Sequence, residues 1–220
     1  VSEQRLISAE EICRQTYKDT KEFYNNISGR LPDDVGFQIL YGPPYPKAPI
    51  LFLGYQPGRG CKTPLEERAY GNEDGWPQRS EYATESWPLA RRLRDMIGTE
   101  CIERCVGLNA IFIRANSIEI YRRDFDRTLR KEIKAFCLPL VVKTMEAIQP
   151  GMIVTIGFET LQLFGGGKPC RKSANGRVLT RTGTIAGREA LGVLHLTGAQ
   201  IARQDRETIA TDIRNYCMSH

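Results

Sequence analysis

The segment Ile50-Leu51-Phe52-Leu53-Gly54-Tyr55-Gln56-Pro57-Gly58 joins a short apolar run to a turn. Large apolar residues with no polar alternation suit a strand buried on both faces, the habit of parallel sheets. Gly54, Pro57 and Gly58 then force a tight turn whose backbone N–H groups can point at a ligand. Three runs of the same kind follow, at residues 106–113, 152–156 and 191–196. Helical stretches separate them: 86–97, one long or two shorter helices within 124–149, a short one at 158–164, and a last one from about 202 to 217. Strands alternating with helices imply crossover connections. The expected fold is therefore α/β, a three-layer α/β/α arrangement around a central, mostly parallel four-stranded sheet. In such sheets ligands bind outside the carboxyl ends of the strands.

Upstream of the first run, residues 36–49 hold Gly42, Pro43, Pro44, Pro46 and Pro49. That stretch cannot be helical and reads as a wrapped loop leading into the core. Before it, Ser8 and Glu11 spell a capping box, and Ile12, Tyr17, Phe23 and Ile27 recur at roughly helical spacing. Residues 1–220 read as a single domain, with 1–49 a helix and Pro-rich loop packed on the rest. No apolar run approaches the ~20 residues of a membrane helix, and residues 1–30 are polar, without a secretory-signal pattern. A soluble, cytoplasmic monomer with no membrane partner is expected.

The net charge of +5 permits a polyanionic partner without requiring one. Seven cysteines, with no C-x-x-C pair, argue against a disulfide framework. Cys101 and Cys105 are spaced C-x-x-x-C, and only His195 and His220 can supply imidazole. Buried or free thiols are the plainer reading, so neither a metal nor another cofactor is expected.

Two more strand ends carry unusual residues. Asn109 interrupts the second apolar run, and an amide there must be satisfied. It either pins a neighbouring loop or hydrogen-bonds the edge of a base. His195 stands at the end of the last run, as a packed or capping residue or as a functional one. Thr197-Gly198-Ala199 is read as the start of a helix, whose N-terminus favours anions. From Gly165 to Arg188 the chain holds Lys168, Arg171, Lys172, Arg177, Arg181 and Arg188 and no acid. Its glycines and Asn175-Gly176 mark a flexible loop or hairpin, either merely solvated or a clamp on a DNA backbone. The cations Arg122, Arg123, Arg127, Arg130 and Lys131 are mixed with acids and read as one face of a helix, while Trp76 and Trp87 either line the site or, the plainer reading, pack in the core.

In this order, the segments G-x-x-P-G (54–58), L-N-A (108–110), P-G-M-I-V-T-I-G (150–157) and H-L-T-G-A (195–199) resemble the uracil-DNA glycosylase superfamily. The resemblance spans residues 50 to 220. It implies a DNA partner and hydrolysis of the N-glycosidic bond of a flipped-out base. His195 would donate a hydrogen bond to the base oxygen as negative charge develops there. Asn109 would read the polar edge of a pyrimidine, and Tyr82 would stack on its face. Gly54, Tyr55, Gln56, Pro57 and Gly58 would complete the pocket. Thr197, Gly198, Ala199, Gln200 and Ile201 occupy the place of the loop that wedges into the duplex, and Arg203 would meet a phosphate, as would the basic run.

The first motif departs from several members of that family, which carry Asp, Asn or Glu where this chain has Tyr55 and Gln56. A neutral Gln56 can orient a water but cannot be a general base. The alternative is a loop acid: Glu66, Glu67, Asp74 or Glu85. Some branches hold an iron–sulfur cluster starting from an N-terminal C-x-x-C; here Cys13 stands alone, so no cluster is expected. Gly58 replaces a bulky Tyr that excludes thymine in some members, leaving room beside carbon 5 of a pyrimidine. The substrate is then uracil or a 5-substituted base, including one from foreign DNA, in repair or in defence. Two rivals stay open: a catalytically silent DNA- or base-binding module on the same fold, and an unrelated nucleotide-binding enzyme. No G-x-G-x-x-G or phosphate-loop lysine supports the last.

Overall fold

The computed structural model describes residues 8–32, 35–58, 76–197 and 200–218. Helix α1 (Ala9–Ile27) begins with the expected capping box, Ser8 and Glu11 each holding the other's backbone N–H. The strands β1 (Ile50–Gly54), β2 (Val106–Asn109), β3 (Met152–Ile156) and β6 (Arg188–Val193) form the parallel part of the sheet. They overlap the four apolar runs, though β2 stops at Asn109 rather than running to Ile113 and β6 spans 188–193 rather than 191–196.

The expectation of four strands is corrected. Among the described residues the sheet has six, the order β2-β1-β3-β6 being continued by an antiparallel pair. The acid-free basic stretch supplies the other two, β4 (Gly167–Lys172) and β5 (Val178–Ile185), which pair antiparallel. The turn between them closes through Ser173, with Gly176 at φ +83°. It is a hairpin, continuing the sheet beyond β6. β4 is exposed along most of its length and ends the sheet with Lys168, Pro169 and Lys172, residues that discourage further strand pairing.

Alternating residues of β1 divide between two apolar clusters. Leu51 and Leu53 pack with Cys13 and Tyr17 of α1 and with Leu129, Ile133, Cys137 and Val141 of the long helix α6 (Arg127–Ile148). Ile50 and Phe52 pack with Leu93 of α3 (Pro88–Ile97) and with Ile209 and Ile213 of α8 (Arg203–Met218). This period-two division explains why β1 reads as wholly apolar: both of its faces are covered. The shorter helices are α2 (Glu81–Thr84), α4 (Thr99–Glu103), α5 (Ile118–Asp124) and α7 (Phe158–Gln162). No described helix is long and apolar enough to cross a membrane.

The helix expected to open at Thr197 does not. Thr197 lies in a turn and α8 starts at Arg203, so the anion-favouring helix end sits six residues later.

Candidate active site

Because β1, β2, β3 and β6 run parallel, their carboxyl ends all open on one side of the sheet. A cavity of about 770 Å³ lies there, lined among others by Gly54, Tyr55, Gln56, Gly58, Asn109 and His195. That volume is within the ~300–1,000 Å³ of pockets that enclose small organic ligands. The fold thus brings together the turn after β1, the end of β2 and the residues after β6.

The turn is laced to the segment after β2. Ala110, Ile111 and Ala115 donate backbone N–H groups to the carbonyls of Gly54, Tyr55 and Pro57, at 2.8, 2.8 and 3.1 Å. Gln56 adds its side chain: Nε2 donates to Ala115 O at 3.2 Å and to Ser117 O at 3.1 Å. Two carbonyls on one nitrogen fix which way the amide faces. Its Oε1 is buried and accepts no hydrogen bond from any described residue. Gly58, exposed at the cavity, has its carbonyl held by Arg114 Nη1 at 2.8 Å. Arg114 is itself buried, and its Nη2 donates to Gln38 Oε1 at 2.8 Å. Gln38 in turn donates to Glu81 Oε1 at 3.0 Å, so a carboxylate answers the buried cation through one amide.

Asn109 is 1% exposed, and its Nδ2 donates to Gln38 O at 3.2 Å. It therefore pins the segment before β1 while also lining the cavity. Its Oδ1 lies 3.0 Å from where a Cβ on Gly54 would stand, which is why that strand ends in glycine.

Tyr82 lines the cavity together with Tyr41 and Trp87, as a nearly buried ring. Its ring is 1% exposed and stacks on Tyr41, with centroids 5.1 Å apart, and both touch Trp87. A Cβ at Gly107 would come within 2.4 Å of the Tyr82 ring and 2.8 Å of Tyr41, so the bare backbone of β2 makes room for this pair. Tyr41 is the partly exposed member of the pair, and burial pushes its hydroxyl up to about 12. Phe158 also lines the cavity, with the Arg181 guanidinium 4.9 Å from its ring centroid.

His195 is exposed by surface area at the cavity, yet the walls around it desolvate the ring enough to lower its pKa. Glu159 and Glu119 pull the other way, favouring the imidazolium, and burial wins. Both carboxylates line the cavity. Glu119 is held below the ordinary carboxylate range, first by hydrogen bonding to Ser117. Neither acid was singled out in the sequence. Of the acids that were, Glu66, Glu67 and Asp74 lie outside the described residues, and Glu85 does not line the cavity. The signal for Glu159 was its place in the first turn after Gly157, whose φ of +88° turns the chain out of β3.

The remaining candidates divide. Thr197 Oγ1 is 3.3 Å from His195 Nδ1. Gly198 and Ala199 lie outside the described residues. Arg177 reaches from the hairpin to Gln200 O at 2.6 Å and lines the cavity, as Arg181 does. Ile201 packs on the cluster under α8, and Arg203 opens that helix, exposed. Lys168 and Lys172 are exposed on β4, whereas Arg171 is drawn to Asp212 of α8, with Nε 3.2 Å from Oδ1. Among the described residues no group of three or more His, Cys, Asp or Glu is placed to hold a metal ion. No protein-family model matches the chain, and no curated protein matches it.

Proposed function

We propose that the protein is a DNA glycosylase that hydrolyses the N-glycosidic bond of a flipped-out pyrimidine, uracil or a 5-substituted base. The observation that carries this reading is the convergence of His195, Asn109 and the 54–58 turn on one cavity. Leaving of the base places negative charge on its ring and makes the sugar cation-like. A neutral His195 whose Nδ1 accepts from Thr197 carries its proton on Nε2 and donates it as a hydrogen bond to the base oxygen. Asn109 keeps donor capacity beyond its bond to Gln38 and meets the polar edge of the base, while Tyr41, backed by Tyr82, offers an aromatic face. A shift of the Gln56 side chain that brings its buried, unpartnered Oε1 to the cavity lets it accept a hydrogen bond from the attacking water, for which a cation-like sugar demands orientation more than a strong base. Glu119 and Glu159 supply negative charge beside that developing cation. Arg177, Lys168, Lys172 and Arg203 meet the DNA backbone.

The test is alkali-induced strand cleavage on single- and double-stranded DNAs carrying uracil, thymine and larger 5-modified pyrimidines. Cleavage at one of these bases, lost in His195→Ala, is the expected result. DNA binding without cleavage on any of them would instead assign a silent base-binding module.

A further inference from the structure

Arg127, Arg130, Lys131 and Lys134 follow i, i+3, i+4, i+7 spacing and share one face of the first turns of α6. A helix tolerates cations least well there, because its N-terminal end carries positive partial charge. Two like-charged pairs, Arg127 with Lys131 and Arg130 with Lys134, are also stacked at i, i+4. Arg122 of α5 joins them, and the five line a second cavity of about 260 Å³ with Tyr55 and Tyr121. Of the nearby acids, Glu132 holds Arg30 at 2.7 Å, Asp124 holds Arg123, and Asp126 caps the N–H groups of Thr128 and Leu129, although its charge also reaches Arg130 and that of Glu119 reaches Arg122. No lining residue is acidic. Burial, then repulsion from Arg122 and Arg130, holds the Lys134 ammonium below its ordinary pKa. Two buried lining atoms, the Tyr121 hydroxyl and Arg130 Nε, have no hydrogen-bond partner among the described residues. Tyr121 is fully buried, so bulk water does not satisfy that hydroxyl.

We propose that this second pocket binds a phosphoryl group. Its volume falls below the ~300–1,000 Å³ of pockets for whole small molecules, which suits a tetrahedral anion rather than a nucleotide. The guanidinium forks match phosphate oxygens. Tyr55 lines both this pocket and the larger cavity. Two sources share the chemistry: a backbone phosphate of a strand whose base sits in the larger cavity, and free phosphate or pyrophosphate. The first source rests on the proposed function; the second does not.

The experiment titrates inorganic phosphate and pyrophosphate into the protein at constant ionic strength, balanced with sodium chloride, and follows thermal unfolding. The wild type should show a saturable rise in Tm, with Kd weakened by about tenfold or more in Arg130→Gln/Lys134→Gln, which loses two charge-assisted donors. Arg91→Gln, exposed on α3 and away from both cavities, should titrate like the wild type. If circular dichroism shows the double variant unfolded, Lys131→Gln, at an exposed lining position, takes its place and should still shift the titration to higher phosphate. A wild-type Tm that ignores both anions, or that responds equally in the pocket variants, overturns the site. A second arm measures binding of a labelled oligonucleotide against salt. A log–log slope lower by ~0.7–0.9 per lost contact in the variant assigns the phosphate to the strand. An unchanged slope beside a lost phosphate response assigns it to the free anion. The first arm requires no excision, so a chain that cleaves no base still answers it.

Discussion

Thr197 Oγ1 stands 3.3 Å from His195 Nδ1. A neutral imidazole has one donor and one acceptor nitrogen; in the tautomer the proposed function requires, the Thr197 hydroxyl donates to Nδ1 and the proton sits on Nε2. His195→Ala should lower excision by roughly 10²–10³-fold, the usual loss when a donor to a developing anion is removed. Thr197→Val loses only the orienting bond and should cost about 2–10-fold. Single-turnover rates on the preferred substrate check both. A His195→Ala rate equal to the wild type would return the histidine to a packing role.

The pH profile has a definite sign. Burial lowers the His195 pKa against the opposing pull of Glu159 and Glu119. The neutral ring therefore persists below the ordinary value of about 6.5 and is lost only as pH falls through the depressed pKa. Excision should hold level from about pH 8 to about 6.5 and decline on the acid side. Glu159→Gln removes a charge that raises this pKa, so the acid limb should move to lower pH, whatever happens to the plateau. A rate that climbs toward acid would mean that the imidazolium, not the neutral ring, is the donor.

Gln56 separates water orientation from base catalysis. Its Nε2 serves the carbonyls of Ala115 and Ser117, and a carboxylate at this position offers them no donor. Gln56→Glu should therefore be less stable by about 1–3 kcal/mol, the cost of leaving buried acceptors unpaired. It should also be slower than the wild type, although it brings a general base. Urea unfolding and excision rates are the measurements. A faster Gln56→Glu enzyme would show that proton removal from water limits the reaction, against the role assigned to the amide.

The sequence made β1, β2, β3 and β6 readable because strands covered on both faces are apolar runs. It hid β4 and β5 because an edge hairpin keeps polar side chains: Lys168, Arg171 and Lys172 on β4, and Thr180, Arg181 and Thr182 on β5. Asn175-Gly176 signalled the turn, but the flanking residues lacked the apolar alternation of a half-buried strand. His195, Asn109 and Gln56 were legible because each polar residue ends or follows a strand, where parallel sheets place ligands. Glu119 and Glu159 were not, since one acid in the first turn of a helix is also an ordinary way to favour its N-terminus. The Arg114–Gln38–Glu81 relay joins residues 76 and 43 positions apart, a contact no local pattern records.

The hairpin cations divide into free and engaged groups. Arg171 pairs with Asp212, so its reversal would first break that bridge. Lys168, Lys172 and Arg177 are the exposed cations chosen for reversal to Glu, with Arg177 also bonded to Gln200 O. Loss of three phosphate contacts should lower the log–log salt slope of DNA binding by about 2–3 units. Titrations at several salt concentrations give the slope directly. An unchanged slope would leave the hairpin a solvated edge of the sheet.

Gly58 lies exposed at the cavity with its carbonyl fixed by Arg114, so a side chain placed here projects from an anchored backbone. In the proposed complex, the absence of a side chain would leave space beside carbon 5 of the pyrimidine. Gly58→Tyr should fill that space and abolish excision of 5-substituted bases while largely sparing uracil cleavage. The block is steric, because forcing a ring into a packed site costs at least ~1–3 kcal/mol, and a base without the substituent avoids the clash. Rates should be compared side by side on uracil, thymine and larger 5-modified pyrimidines, for the wild type and the variant. Thermal unfolding of both proteins separates a blocked pocket from a damaged turn, since a blocked pocket leaves Tm in place. If every substrate slows by the same factor at unchanged Tm, Gly58 does not select the base, and the case for a 5-substituted substrate falls with it.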